Sequence, residues 1–303
     1  MTALLEPTQP PRPTERDVEP RRSGPLSRRN LVATITTGYV PLVLATAVVV
    51  LPLVWMMLAS FKTPGELLTQ TPSVLPDSFA PTNYTDAARN VPFGRLFLNS
   101  VIVTAVGAGL KVVLAVLTAY ALVFVRFPGK RIIFVLVLAT LMVPPQVSVL
   151  PNYVLISGLG GADTYWGIIL PGLGTGFATF LLRQQFLSLP LSILEAAEID
   201  GASHWRRLTR IVVPISMPAI ATVALVNIVF EWNEYLWPLV IVSDPQMMTL
   251  PVGLTLLANS ESGADSYGIV MAGTVLVLVP VLVIFAAFQR YIVSGLTQGA
   301  VKD

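Results

Sequence analysis

The stretch that decides the fold is Leu187–Pro214, LSLPLSILEAAEIDGASHWRRLTRIVVP, a patterned polar interruption between two long apolar runs. Ser192 followed three residues later by Glu195 has the form of a capping box and predicts a helix starting there. Ile193, Leu194, Ala196, Ala197 and Ile199 supply its apolar face. Gly201 stops that helix, as glycine does just past a C-terminus. A second helix is expected from about Ser203, running basic through Arg206, Arg207 and Arg210 to Pro214. The product is a small helix-turn-helix knob, a shape suited to docking in a groove of a soluble partner. A plainer reading stands beside it: Glu195 only caps, Gly201 only turns, and the arginines only mark one side of a membrane.

Outward from this loop the chain is strongly apolar. It has 303 residues, 54% hydrophobic and 12% charged, against about 25% charged in soluble domains. A helix needs about 20 apolar residues to cross about 30 Å of hydrocarbon. Six stretches qualify: Tyr39–Ala59, Asn99–Val125, Ile132–Tyr153, Thr164–Leu182, Ile211–Phe230 and Gly268–Phe288. Pro144 and Pro145 interrupt the third, and the fifth is followed by a further apolar run, Tyr235–Val242, with Trp237 and Pro238. Such breaks survive in a membrane only where protein or a wet cavity satisfies the freed backbone. The expected fold class is therefore an all-α membrane protein with six spans, and the segment 187–210 is the connection between spans four and five.

The basic residues set the orientation. With the N-terminus in the cytoplasm, fifteen of the nineteen Lys and Arg residues fall on the cytoplasmic side, including Arg126, Lys130, Arg131, Arg183 and the arginines of the 187–210 loop. Lys62, Arg89 and Arg95 lie outside, and Lys111 sits within a span. The pI near 9.0 follows from this asymmetry, so no nucleic-acid partner is implied. Residues 1–38, rich in Pro and Arg, read as a disordered cytoplasmic tail. Ala45-Thr46-Ala47 has a small-x-small form but lies in the middle of a long apolar run, where a signal cleavage site does not fall, so the first span reads as an uncleaved anchor.

Glu195-Ala196-Ala197, three residues, Gly201, nine residues, Ile211, one residue, then Val213-Pro214 resembles the EAA loop of bacterial ABC importer permeases, with Val213 standing where that pattern has Leu. The resemblance extends from Tyr39 to the end, and the last fifteen residues, 289–303, are similar to the C-terminal tail of maltose-type carbohydrate permeases. It implies a six-span permease domain (39–288) in the inner membrane, with both termini cytoplasmic. The partners it implies are a second homologous permease, an ATPase homodimer and an extracytoplasmic substrate-binding protein. The ATPase would meet the coupling loop, through Glu195, Ala196, Ala197, Asp200 and Gly201, and the C-terminal tail. ATP and magnesium would belong to that ATPase, with no cofactor and no metal on this chain. The strings Ala139–Gln146, Glu231–Pro238 and Leu250–Thr255 look closer to the glycerol-3-phosphate and glycerophosphodiester branch, with di- or oligosaccharide permeases as the alternative.

Charges within spans are costly and should face the bundle interior. Lys111 is open to two readings: a lysine neutralised by a carboxylate or by carbonyls freed at a proline, or a positive point for an anionic phosphate. Asn227, Glu231, Trp232, Asn233 and Glu234 cluster at the end of span five, either as groups for substrate hydroxyls and a cationic head or as an interfacial belt. Asn152, with Tyr153, follows the broken third span as a further candidate. The 37 residues Lys62–Leu98, with five prolines, are long enough to dock a binding protein.

Other classes fare worse. A secondary transporter supplies ion-coupling carboxylates within its spans and an internal repeat; here the acids sit at span ends. The chain has no cysteine, a single histidine (His204, read as a packing or surface residue) and no phosphate-binding Gly-Lys-Ser/Thr loop. Catalytic residues are therefore not expected, and energy from ATP has to come through a partner.

Overall fold

The structure, a computed structural model, describes residues 35–67, 69, 73–77, 79, 81–260 and 267–297. Most of the N-terminal tail and the final six residues of the C-terminal tail lie outside the described residues. Among those described, the elements are helices and turns. The chain divides into two compact units, Met1–Val54 and Trp55–Asp303. In the first, a π turn at Ile35–Tyr39 leads into α1 (Val40–Ala59), which contains Pro52 and runs on across the unit boundary.

In the second unit the segment expected to be a long outer loop is largely folded. It holds α2 (Pro64–Leu67) and α3 (Thr82–Asn90), and α4 starts at Phe93, six residues before the expected start of span two. Short-range bonds organise it. Asn83 Nδ2 donates to Ser60 O (2.9 Å) and Lys62 O (2.8 Å), and Ser60 Oγ meets Tyr84 OH at 2.8 Å. The buried Lys62 ammonium lies 4.7 Å from the centre of the Trp55 ring and donates to Ser73. Glu66 accepts from the Asp77 N–H (3.1 Å) and Thr63 Oγ1 (3.0 Å), and the Asp77 bond foremost holds its carboxyl below the usual range.

Helix α4 (Phe93–Phe124) is the spine. Its 32 residues contain no proline and span about 48 Å. It ends at the extended Val125, where Lys130 Nζ reaches back to the Val123 (2.9 Å) and Val125 (3.1 Å) carbonyls, a cation on carbonyls that have no helical partner. Around it pack α7 (Tyr165–Ile169), α8 (Gly176–Leu187), α12 (Met217–Asn233) and α14 (Leu250–Ser260). Close approach is possible because its buried face is built from small residues, Gly107, Ala108, Ala115 and Ala119. The last helix, α15 (Tyr267–Thr297), packs on α3, α12 and α14 and carries Pro280. It continues through residues read from sequence as the start of the C-terminal tail. Helix α14 belongs to none of the six expected spans.

Among the described residues, three helices are long and apolar enough to cross a membrane, and the count reaches six if each bent pair is one span. The third span breaks between α5 (Lys130–Thr140) and α6 (Val149–Gly158), its two parts meeting at 93°. Pro144 is extended there (φ −60°, ψ 129°), as its ring dictates for the chain around it, and Pro145 opens a 3₁₀ turn to Ser148. The fourth bends by 49° ahead of Gly176. The fifth bends by 81° at the buried Ser216, between α11 (Val213–Ile215) and the run from α12 to α13 (Leu236–Ile241).

Outward-facing apolar side chains on α4, α5 and α6, such as Val113, Val135, Leu136, Leu150 and Val154, form a surface that requires an apolar surrounding. Polar groups of α4 turn inward instead. Asn99, fully buried, donates from Nδ2 to Gln246 O (2.8 Å) and Met248 O (2.9 Å) and accepts from Tyr165 OH at 2.7 Å. Ser100 Oγ accepts from Leu250 N at 2.7 Å. These bonds fasten the connection before α14, and the start of α7, to one end of the spine. Asn99→Ala removes three hydrogen bonds, to Gln246 O, Met248 O and Tyr165 OH, at about 1 kcal/mol each. A drop of more than about 2 kcal/mol in stability is expected, read as a lower thermal midpoint in detergent. Val101→Ala, on the exposed side of the same helix, should change it by under about 1 kcal/mol.

Candidate functional site

A cavity of about 360 Å³ opens where the broken third span, the 3₁₀ turn Leu170–Leu173 and the end of α12 meet α4. Its polar lining is Lys111, Gln146, Ser148, Asn152, Glu231 and Glu234, with Phe230 and Trp237 as aromatic wall. Lys111 Nζ forms an ion pair with Glu231 Oε1, both side chains largely buried at 15% and 11% exposure. The two residues are 120 positions apart in the chain. One turn before Lys111, on the same face of α4, stands Gly107. A Cβ at that position would lie 2.8 Å from Glu231 Oε2, so the absence of a side chain there is what admits the carboxylate. Removing one partner of a buried pair leaves an uncompensated charge, which costs about 3–5 kcal/mol.

Glu234 follows the last turn of α12 in extended conformation (φ −65°, ψ 120°). Its Oε1 accepts from the Trp237 N–H at 3.3 Å, on one of the free amides that begin α13. Trp237 in turn donates from Nε1 to the Gly167 and Ile168 carbonyls, both at 3.1 Å, which holds its indole against α7. The cavity thus presents carboxylates, amides, one ammonium and fixed aromatic surface, a set able to hydrogen-bond hydroxyls and to meet a charged group.

Of the residues expected at a pathway, Lys111, Asn152, Glu231 and Glu234 come together here. Three do not line the cavity. Trp232 is one residue, about 100°, further round α12 than Glu231, and that rotation buries it against α14 and α15. Its Nε1 donates to Val277 O (3.3 Å) and its ring meets Phe97 edge-on at 5.8 Å. It is core, and neither of the two sequence readings, substrate group or interfacial belt, describes it. Asn227 and Asn233 spend their amides on their own helix, donating to Val223 O (2.9 Å) and Val229 O (2.7 Å). Gln146 and Trp237 line the cavity without being candidates by sequence; the signals for them are the proline break beside one and Pro238 beside the other.

The 187–210 loop forms the expected two helices with a different start. α9 (Leu191–Ile199) begins directly after Pro190 (φ −60°, ψ 116°), so Ser192 already lies in the first turn and no side chain caps the helix. The capping box expected from Ser192 and Glu195 therefore does not form. The C-terminal end follows the Schellman pattern: Gly201 N donates to Glu198 O (3.0 Å) and Ala202 N to Ala197 O (2.9 Å), with Gly201 at φ +73°. Ser203 Oγ then caps α10 (His204–Arg207), accepting from Arg206 N at 3.3 Å. Leu194 and Ala197 are buried, with Leu194 packed among Leu182, Phe186, Leu208 and Val212. Ala197 therefore supports the loop from within, while Glu195, Ala196, Ile199, Asp200, Gly201 and Trp205 face outward. Ile199 is 87% exposed and Trp205 66%, a large apolar surface on so small a knob. A second cavity of about 550 Å³ opens between the knob and the end of α4, lined by Arg126, Lys130, Glu195, Glu198, His204 and Arg207.

Residues 111–298 match the family described as binding-protein-dependent transport system inner membrane component. The chain is 34% identical over 268 residues to the sn-glycerol-3-phosphate transport system permease protein UgpE of Agrobacterium fabrum, covering 86% of this chain and 95% of that one. It is 35% identical over 263 residues to the diacetylchitobiose uptake system permease protein NgcG of Streptomyces coelicolor, covering 86% and 87%. Its fold is like that in the crystal structure of a bacterial ABC transporter involved in the import of the acidic polysaccharide alginate, with TM-score 0.74 and 22% identity over 88% of this chain and 98% of that one. Together with the long apolar helices and the polar cavity among them, these likenesses establish that the chain belongs to the binding-protein-dependent transport system inner membrane components and is a permease subunit of an ABC importer.

Proposed function

We propose that this permease forms half of a translocation pathway, the other half coming from a second, homologous permease. An ATPase homodimer drives it from the cytoplasm and an extracytoplasmic binding protein delivers the substrate. This chain is non-catalytic: ATP and magnesium are held by the ATPase. Both termini are cytoplasmic, in keeping with the positive residues on that side. The observation that carries the coupling role is the exposed knob Leu191–Arg207, whose outer surface (Glu195, Ala196, Ile199, Asp200, Gly201, Trp205) is apolar in part and unsatisfied alone. The C-terminal tail is assigned to the same ATPase by the likeness of its sequence to maltose-type permeases.

For the cargo we propose glycerol 3-phosphate or a glycerophosphodiester, supported by the glycerol-3-phosphate permease relatives and by the placement of Lys111 on the cavity wall. In this reading Glu231 positions the lysine between substrates. A di- or oligosaccharide is the second reading. It is supported by the diacetylchitobiose permease relative and by a lining of carboxylates, amides and aromatic rings, which suits neutral hydroxyl-rich molecules.

Gly201→Asp puts a Cβ on a left-handed residue and a new charge on the docking surface. The variant should reach the membrane at normal levels, seen by immunoblot of membrane fractions, and support no uptake; full uptake would remove the knob-in-groove reading. Whole cells carrying Lys111→Met should lose labelled glycerol 3-phosphate or glycerophosphocholine uptake at least tenfold, about 1.4 kcal/mol of lost stabilisation or more. Uptake of a labelled disaccharide should fall less. Equal losses would show that Lys111 serves only packing, and the double variant Lys111→Met/Glu231→Gln, which leaves no lone buried charge, separates loss of fold from loss of function.

A further inference from the structure

Besides the apolar packing of Leu194, Leu208 and Val212, the knob is joined to the bundle by two routes, one covalent and one polar. The covalent route runs from α10 through a π turn (Leu208–Val212) and α11 into α12, and it bends by 81° at Ser216. The second route is a polar chain to the straight spine. Glu198 of α9 pairs with Arg207 at 2.8 Å. Arg207 reaches His204 Nδ1 at 3.4 Å, and the same Nδ1 meets Tyr120 OH of α4 at 3.2 Å. Arginine can only donate, so a bond from Arg207 requires Nδ1 to be the acceptor, with the ring proton on Nε2 and the single Nδ1 lone pair shared between Arg207 and the Tyr120 hydroxyl. The Tyr120 ring is buried, edge-on to His204 at 6.1 Å and packed on Phe124 at 5.2 Å.

We propose that Tyr120 and His204 form the joint through which movement of the coupling loop is passed to α4 and so to the Lys111–Glu231 pair, making both positioning residues for transport. Tyr120 lies nine residues beyond Lys111 on one unbroken helix, about 13 Å along its axis. A displacement at Tyr120 therefore slides Lys111 relative to Glu231, which is carried by the separately hinged α12. This inference rests on the coupling role proposed above.

The test uses the assembled importer reconstituted in lipid. The chain has no cysteine of its own, so a spin-label pair at Val113→Cys on α4 and Val283→Cys on α15, both exposed, reports the movement of the spine without needing a substrate. A non-hydrolysable ATP analogue should change the distance between the labels in the parent. In Tyr120→Phe and in His204→Gln that change should shrink several-fold while the ATPase still co-purifies. His204→Asn, whose amide oxygen can occupy the Nδ1 position, should restore it. An unaltered change in Tyr120→Phe, or equal damage from the Gln and Asn variants, would overturn the joint, as would loss of the ATPase from Tyr120→Phe. Failure of the underlying coupling role is distinguished separately, by Gly201→Asp retaining both uptake and the distance change.

Discussion

A chain in a membrane has to satisfy its polar groups from its own atoms, and here that constraint is met largely along one helix. Asn99 and Ser100 at one end of α4, Lys111 near its middle and Tyr120 near the other end each bond to a different part of the chain: the connection before α14, the end of α12, and the start of α10. No single bond is large, but each polar group left unpaired in an apolar setting costs more than the bond itself returns. The spine is therefore held at fixed register to three elements that are far away in sequence. Its small-residue face lets α8 and α12 approach closely enough for those bonds to form.

The breaks in the spans have a common consequence. Pro144 and Pro145, the turn at Leu170–Leu173 and the gap between α12 and α13 all leave backbone outside regular helix, and all three border the same cavity. Irregular backbone at membrane depth is tolerated beside a wet cavity or within protein. Opening the helices there also frees Gln146, Ser148 and Glu234 to face the space between them. The apolar wall is kept rigid because the Trp237 indole N–H is shared by two carbonyls of α7.

The Leu191–Arg207 knob follows a different logic, since its shape is almost wholly local. A Schellman end at Gly201, a serine cap at Ser203 and the Glu198–Arg207 pair close the helix-turn-helix with bonds spanning nine residues or fewer. Its orientation on the bundle comes from Leu194, Leu208 and Val212 packing on α8 and from the Tyr120–His204 contact. This division leaves the Ile199 and Trp205 side chains exposed among the described residues, the condition expected of a surface that meets another subunit.

What could be read from sequence was whatever depends on near neighbours: apolar runs long enough to span, the turn at Gly201, the cap at Ser203, the proline break in span three and the family pattern from Glu195 to Pro214. Local rules also misplaced the start of α9, because Pro190 starts the helix before Ser192 is reached, and they passed over α3 and α14, which are too polar or too short to register as spans. The tertiary structure alone decided that Lys111 pairs with Glu231 over 120 positions, that Gly107 makes the space for it, and that Trp232 turns into the core while Glu231 turns into the cavity. Adjacent residues on a helix point about 100° apart, and which of those directions is interior depends on where the other helices stand, a quantity no local pattern contains.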